Sequence, residues 1–284
     1  KNIKKELEKV EKESGKKFGD LKSPLLVSVR SGARVSMPGM MDTILNLGLN
    51  DKTVLALAKK TSNIRFAKDS YRRFIQMYSN VVMDVESYNF EELIENYKLT
   101  KGVLLDTELD ADDWDGLIKD FKNIVKEKTK KEFPQDVYQQ LIGAISAVFL
   151  SWESNRAKVY RKLNHIPSDW GTAINVQSMV FGNMGNDCAT GVVFTRNPSD
   201  GINEIYGEYL INAQGEDVVA GTRTPQHITK KARKDSSSKE SSMEESMPKV
   251  FKELKKILKM LEKHYKDMQD VEFTVENQKL CILQ

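Results

Sequence analysis

An arginine placed between a short strand and a run of small residues is the first candidate for chemistry. Residues 25–29 (LLVSV) are typical of a β-strand, and Arg30 follows directly, ahead of Ser, Gly and Ala at positions 31–33. A guanidinium group binds phosphate oxygens bidentately, and small residues let backbone N–H groups approach the same anion. The segment indicates a phosphate site, with an ordinary turn carrying a solvated arginine as the alternative.

A second candidate is the alternating run at residues 270–275 (DVEFTV). Its polar residues Asp270, Glu272 and Thr274 share one face of a strand, and the apolar residues between them share the other. If residues 277–279 form a three-residue hairpin loop, Glu272 lies opposite Gln284, and the two oxygens suit Mg²⁺ when phosphates supply further ligands. A loop with an even number of residues would place the two side chains on opposite faces and abolish the site.

Common signatures of other chemistries are absent from the sequence. It contains no G-x-x-x-x-G-K-[ST] loop, no G-x-G-x-x-G after a strand, no G-x-S-x-G and no H-E-x-x-H. Its three histidines are scattered, and its two cysteines show neither a disulfide framework nor metal-ligand spacing. Any catalysis is therefore expected at the two segments above.

Composition excludes several classes of protein. The 284 residues include 44 Lys and Arg against 41 Asp and Glu, which lacks the basic excess of a nucleic-acid binder. The apolar runs are only a few residues long, far short of the ~20 that span a bilayer. With two cysteines, a reducing compartment is expected: the cytoplasm, or an organelle in a protist or plant.

Periodicity then predicts the elements that position these residues. Apolar residues at helical spacing predict helices from Asp51 to about Gln135, with Asp110 as one N-cap, and strands follow from Ala173. Residues 230–248 have six serines between positions 235 and 246 and almost no apolar content, which predicts a disordered loop.

Several stretches together resemble the ATP-binding domain of the pyruvate, phosphate dikinase family. They are residues 27–33 (VSVRSGA), 36–46 (SMPGMMDTILN), 169–173, 176–177, 179–183, 191 with 194–198, 206–221 (YGEYLINAQGEDVVAG), 223–226, 267–270 and 272–274. The resemblance covers nearly all of the chain except the serine-rich tract. The MPGMMDT form of the loop favours this family over the related phosphoenolpyruvate synthases.

The resemblance implies an α+β, ATP-grasp-like fold with ATP between two lobes and a helical insertion. The first lobe would comprise residues 1–50 with 136–181, the insertion 51–135, and the second lobe 182–284. Arg30 would contact the ATP phosphates, and the loop 39–43 would lie over them. The implied contacts to the nucleotide also include Gly39, Met41, Thr43, Gln177, Met179 and Val180, the last three bordering adenine.

The resemblance also implies how catalysis works. Glu272 and Gln284 would hold Mg²⁺ and meet the phosphates, with Asp270 supporting them, so Arg30, Asp270, Glu272 and Gln284 are the expected catalytic residues. In the family, the β-phosphoryl group of ATP moves to a histidine on a separate domain, orthophosphate takes the γ-phosphoryl group, and a barrel domain makes phosphoenolpyruvate from pyruvate. The full-length enzyme is expected to be a homodimer.

Departures from the family pattern limit what this chain is expected to do alone. The sequence has no Gly-Gly-Lys-Gly segment and no Thr-Ser-His-Ala-Ala motif, it stops at Gln284 before an expected Thr-Arg, and Gln278 replaces a usual Gly. We therefore expect one part of a longer enzyme, without net turnover by itself. The alternatives are the ATP-binding module of a related dikinase such as phosphoenolpyruvate synthase, or a non-catalytic nucleotide-binding module.

Overall fold

Helices and short sheets alternate along the chain, an α+β arrangement as predicted. The structure, a computed structural model, describes residues 2–219 and 223–284; Ala220 and Gly221 of the 206–221 stretch lie outside these ranges. Packing divides the chain into two units, one ending at Met179 and one beginning at Val180. The boundary predicted between the two lobes, at 181/182, lies two residues after this division. The separate status of the insertion at 51–135 stays a prediction.

The first unit contains seven helices and five strands within the described residues. The helices are α1 (Asn2–Ser14), α2 (Thr53–Thr61), α3 (Ile64–Met83), α4 (Tyr88–Lys101), α5 (Ala111–Thr129), α6 (Val137–Ser151) and α7 (Asn155–Leu163). The strands are β1 (Lys17–Phe18), β2 (Pro24–Leu25), β3 (Val27–Gly32), β4 (Thr43–Leu47) and β5 (Ala173–Ser178). Strand β3 is the centre of an antiparallel sheet in the order β4-β3-β5.

Side-chain caps explain where the long helices of this unit begin. The Asp110 carboxylate accepts hydrogen bonds from the backbone N–H groups of Asp112 and Asp113, which confirms it as the N-cap of α5. Asn63 and Asp136 cap α3 and α6 in the same way. Behind these caps, α3 and α5 bury the apolar residues that the periodicity selected, with Phe74 and Phe121 both fully buried.

The second unit is built on one five-stranded antiparallel sheet. Its strands are β6 (Ala189–Phe194), β7 (Tyr206–Ile211), β8 (Gln226–His227), β9 (Asp270–Glu276) and β10 (Lys279–Ile282), in the order β10-β9-β6-β7-β8. Its helices are α8 (Gly215–Val219), α9 (Lys230–Asp235), α10 (Met243–Ser246) and α11 (Pro248–Tyr265). The buried residues of α11 belong to the same apolar core as alternate residues of β9: Phe251, Leu254 and Leu258 with Val271, Phe273 and Val275.

The serine-rich tract is ordered, so the prediction of a disordered loop at 230–248 is wrong. Met243 and Met247 are buried in the core of the second unit. The Tyr209 hydroxyl donates to or accepts from Ser246 Oγ at 2.8 Å, and Ser242 and Glu245 form a capping box. Serine content outweighed these two methionines in the prediction, although burial of each stabilises the folded segment by ~1.5–3 kcal/mol.

None of the helices in the described ranges is long and apolar enough to cross a membrane.

Candidate functional site

Strand β3 brings predicted site residues from three parts of the chain to one face of its sheet. Arg30 pairs with Thr43 on β4 and with Asn175 on β5, and Ser28 pairs with Gln177. Directly paired residues of antiparallel strands project from the same face with Cβ atoms about 4.5–5.5 Å apart, and residues two positions apart share that face. Arg30, Thr43 and Gln177 therefore project from a common surface of the first unit.

The loop between β3 and β4 is exposed at its tip. Gly39 has a φ of +68°, and a Cβ atom at this position would meet no other atom within 4 Å. The turn is closed by the Met40 N–H, which donates to the Met37 carbonyl at 3.1 Å. Glycine adopts this left-handed conformation without steric cost, and its bare backbone leaves room for a ligand to approach. This geometry suits the predicted role of the loop at 39–43.

Aromatic packing anchors the same loop to helices far along the chain. Met37 is buried against Trp152 and Ala157, and Met40 and Met41 pack on the same cluster. Arg161 stacks on the Trp152 ring at 4.1 Å from its centroid. Met41, selected from the sequence as a nucleotide contact, is therefore also part of the loop's anchor.

Polar contacts complete this anchor. Arg156 pairs with the Asp42 carboxylate, and its Nε donates to the Met40 carbonyl at 3.2 Å. The Asp42 N–H donates to Ser151 Oγ at 3.2 Å. Sequence reasoning missed Arg156 and Ser151 because they lie more than 100 positions away and in no recognisable motif.

The last two predicted adenine contacts lie beyond the end of β5. The Met179 N–H donates to the Leu26 carbonyl at 2.9 Å, which extends the β3–β5 pairing by one residue. Val180 is the first residue of the second unit. Both side chains are half-buried.

The hairpin of the second unit has a two-residue turn, so the predicted three-residue loop at 277–279 is wrong. Lys279 pairs with Glu276, which leaves only Asn277 and Gln278 in the turn. Their φ values are +50° and +64°, as a type I′ turn requires. With this register continued regularly, Glu272 would oppose Leu283, and Gln284 would point to the other face.

A β-bulge beyond β10 nevertheless places Gln284 opposite Glu272. The Glu272 carbonyl accepts from the N–H groups of both Leu283 and Gln284, at 2.9 and 3.5 Å, and the Glu272 N–H donates to the Gln284 carbonyl at 3.0 Å. Two residues thus oppose one, which is the defining pattern of a bulge. The expected pairing is present, but it arises from an even turn plus an extra residue.

Electrostatics on this face favour a cation. Asp270 and Glu272 project from the same side of β9, two residues apart. Burial raises the pKa of the Asp270 carboxyl above its usual range, and the negative charge of Glu272 raises it further. No cluster of three His, Cys, Asp or Glu residues arranged as metal ligands occurs in the described ranges. Two carboxylates and one amide are instead the sparse oxygen set that Mg²⁺ uses when phosphates complete its shell.

Contacts at both ends of the turn hold the hairpin against the segment 181–188. Glu276 accepts from the Phe181 N–H at 2.7 Å, and the Gln278 N–H donates to the Asp187 carbonyl at 3.1 Å. Cys188 Sγ accepts from the Asn277 N–H at 3.3 Å. These bonds fix the base of the strand that carries Glu272.

Comparison with known proteins identifies the family. The chain matches the family described as pyruvate phosphate dikinase, AMP/ATP-binding domain, over residues 1–251 and 244–284. The chain belongs to this family. Within it, the chain is 59% identical to the pyruvate, phosphate dikinase of Clostridium symbiosum over 276 residues, and 54% identical to that of Entamoeba histolytica over 284 residues.

The dikinase relatives are much longer than this chain. The alignment covers 97% of this chain but 30% of the Clostridium symbiosum protein, and 98% of this chain but 28% of the chloroplastic enzyme of Flaveria trinervia, which is 53% identical. The chain therefore spans a little under a third of the length of these relatives.

Proposed function

We propose that the chain is the ATP-binding module of a pyruvate, phosphate dikinase. In this reaction ATP, orthophosphate and pyruvate give AMP, pyrophosphate and phosphoenolpyruvate. The module transfers the β-phosphoryl group of ATP to a histidine on another domain of the same polypeptide. The observation that carries the proposal is the strand pairing that sets Arg30, Thr43 and Gln177 on one face, beside the exposed Gly39 turn.

The proposed fold is ATP-grasp-like, with residues 51–135 as a helical insertion. Arg30 binds the phosphates and neutralises charge that develops during transfer, because phosphoryl transfer depends mainly on positioning and electrostatic stabilisation. Gly39, Met41 and Thr43 belong to the loop over the phosphates. Gln177, Met179 and Val180 border the adenine.

The carboxylate face of β9 is the proposed metal site. Glu272 and Gln284 hold Mg²⁺, and Asp270 adds negative charge beside them. Burial and then the charge of Glu272 raise the pKa of Asp270, and a bound cation would favour its charged form against both effects. Bound Mg²⁺ supplies charge neutralisation at the phosphate oxygens.

The remaining parts of the reaction belong to other domains. The phosphohistidine domain, the pyruvate-binding barrel and the dimer contacts are proposed for the full-length polypeptide. Relatives in bacteria and chloroplasts fit a cytoplasmic or organellar location.

Phosphohistidine formation tests the proposal. In the full-length enzyme, Arg30→Ala should lower the rate of phosphohistidine formation from Mg²⁺-ATP by ~10²-fold or more. Removal of one hydrogen-bond donor that stabilises transition-state charge slows a reaction by about this factor. Arg34→Ala is the matched control, because Arg34 lies in the loop that follows β3 and stacks on Trp170, with its guanidinium 5.0 Å from the ring centroid. An Arg30→Ala enzyme that transfers phosphate at the normal rate would instead indicate a nucleotide-binding module without a role in transfer.

A further inference from the structure

A cleft of about 780 Å³ lies in the second unit, and none of its lining residues is among those proposed to bind ATP. One wall is the C-terminal half of α11, and the other is the connection between β6 and β7. The lining residues are Arg196, Gly201, Asn203, Lys259, Glu262, Lys263, Lys266, Asp267 and Met268. Its volume falls within the range of small-molecule sites, but four of its nine lining residues are cationic and only Met268 has an apolar side chain.

The carboxylates of the cleft are already engaged. Glu262 Oε1 accepts from Arg196 Nε and Nη2, both at 2.7 Å, so this ion pair connects the two walls. Asp267 Oδ1 accepts from the Met268 N–H at 2.8 Å. Neither carboxylate pairs with a lysine of the cleft within the described residues.

Three lysines therefore carry uncompensated charge into the cleft. Lys259, Lys263 and Lys266 are exposed, and no partner for their ammonium groups occurs among residues 2–219 and 223–284. Lys259 and Lys263, at i and i+4, lie on one face of α11, and Lys266 follows directly after the helix end, with a φ of +59°. The negative end of the helix accounts for lysines in the last turn only, and Lys259 lies before that turn.

The span of these lysines indicates the ligand. From Lys259 to Lys263 the helix rises ~6 Å, and Lys266 continues the row beyond the helix end, so the three ammonium groups extend over more than a single phosphate group covers. We propose that the cleft binds a small anion that carries two or more phosphate groups, held by Lys259, Lys263 and Lys266. The Arg196–Glu262 ion pair joins α11 to the opposite wall of the cleft, the connection between β6 and β7.

Calorimetry with inorganic tripolyphosphate tests the proposal. The titration is made at low ionic strength with EDTA, in an Arg30→Ala background, so that neither metal nor the phosphate loop of the first unit contributes. The triple variant Lys259→Ala/Lys263→Ala/Lys266→Ala should bind at least ~10-fold more weakly, because it loses three charge-assisted contacts. These side chains are exposed, so the variant is expected to fold, and circular dichroism verifies this.

A matched control separates the cleft from general charge. Lys249→Ala/Lys252→Ala/Lys256→Ala removes the same charge from exposed positions of the same helix outside the cleft, and it should change affinity less than ~3-fold. Orthophosphate should bind at least ~10-fold more weakly than tripolyphosphate. The proposal would be overturned if both triple variants lost the same affinity for tripolyphosphate. It would also be overturned if the Arg30→Ala parent bound no detectable tripolyphosphate, or bound orthophosphate with equal affinity.

Discussion

The two proposed halves of the ATP site are positioned in different ways. In the first unit, the loop beside Arg30 is anchored by Trp152 and Arg156, which lie more than 100 residues further along the chain. In the second unit, Glu272 and Gln284 belong to one hairpin and are brought opposite each other by a turn and a bulge. The cationic half therefore depends on long-range packing, and the anionic half on local backbone conformation. We therefore expect mutations in the two halves to have different effects on stability and binding.

The largest effect is expected at the aromatic anchor of the loop. Trp152→Ala should lower the free energy of unfolding by ~3–5 kcal/mol, because Trp152 is buried and contacts Met37 and Arg161. Urea denaturation measures the change. The control is Trp170→Ala, whose side chain is 41% exposed and whose loss should cost less than ~1 kcal/mol. Similar losses for both variants would contradict long-range anchoring.

A smaller effect, confined to binding, is expected from Arg156→Ala. The Arg156 side chain is 52% exposed, so its ion pair with Asp42 should contribute less than ~1 kcal/mol to stability. Loss of its bonds to Asp42 and to the Met40 carbonyl should still weaken ATP binding by about 10-fold, because the loop would no longer be held in one conformation. Calorimetric titration of ATP checks this, with Lys158→Ala, another exposed ion-pair residue of α7, as the control. Unchanged ATP affinity would show that the conformation of this loop does not contribute to nucleotide binding.

The hairpin should respond to local backbone changes. Gln278→Gly should raise the free energy of unfolding by ~0.5–1 kcal/mol, because glycine adopts the observed φ of +64° without strain. Gln278→Val should lower it, since a β-branched residue is least tolerated there. Thermal unfolding measures both changes. If both variants destabilise the chain equally, the hydrogen bond from Gln278 Nε2 to the Asp187 carbonyl, at 3.5 Å, would matter more for stability than the backbone conformation.

The smallest effect concerns the repulsion between Asp270 and Glu272. The pKa of Asp270 is raised in the folded chain, so the folded state retains a proton that the unfolded state has released, and stability falls as pH rises from about 3.8 through the raised pKa. Without Mg²⁺, Asp270→Asn should therefore be more stable than the parent above this window, by less than ~0.5 kcal/mol after solvent screening.

Denaturation at pH 3 and pH 7 measures this difference, with Asp267→Asn as an exposed control nearby. If Asp270→Asn is no more stable than the parent at pH 7, burial and the charge of Glu272 together do not destabilise the charged form of Asp270. Addition of Mg²⁺-ATP should make the parent more stable than Asp270→Asn at neutral pH, because the parent binds Mg²⁺-ATP more tightly.

The structure shows why some of the sequence-based predictions failed. The odd hairpin loop was wrong because loop length depends on which residues accept positive φ, and Asn277 and Gln278 carry no glycine signal. The pairing of Glu272 with Gln284 was expected for the wrong reason, since a bulge has no distinct sequence pattern. The serine-rich tract was misjudged because Met243 acquires a partner only when Tyr209 and α11 pack around it.

Local patterns in the sequence determined the helices, the strand that leads into Arg30, the Asp110 cap and the alternation along β9. These depend on spacing and capping within a few residues, so they can be recognised without knowing the fold. The tertiary structure alone decided that Arg156 and Trp152 hold the loop, that Arg30 shares a face with Gln177, and that four cations line a cleft on the second unit. Such contacts join residues distant in the chain, and their energy exists only after packing has brought those residues together.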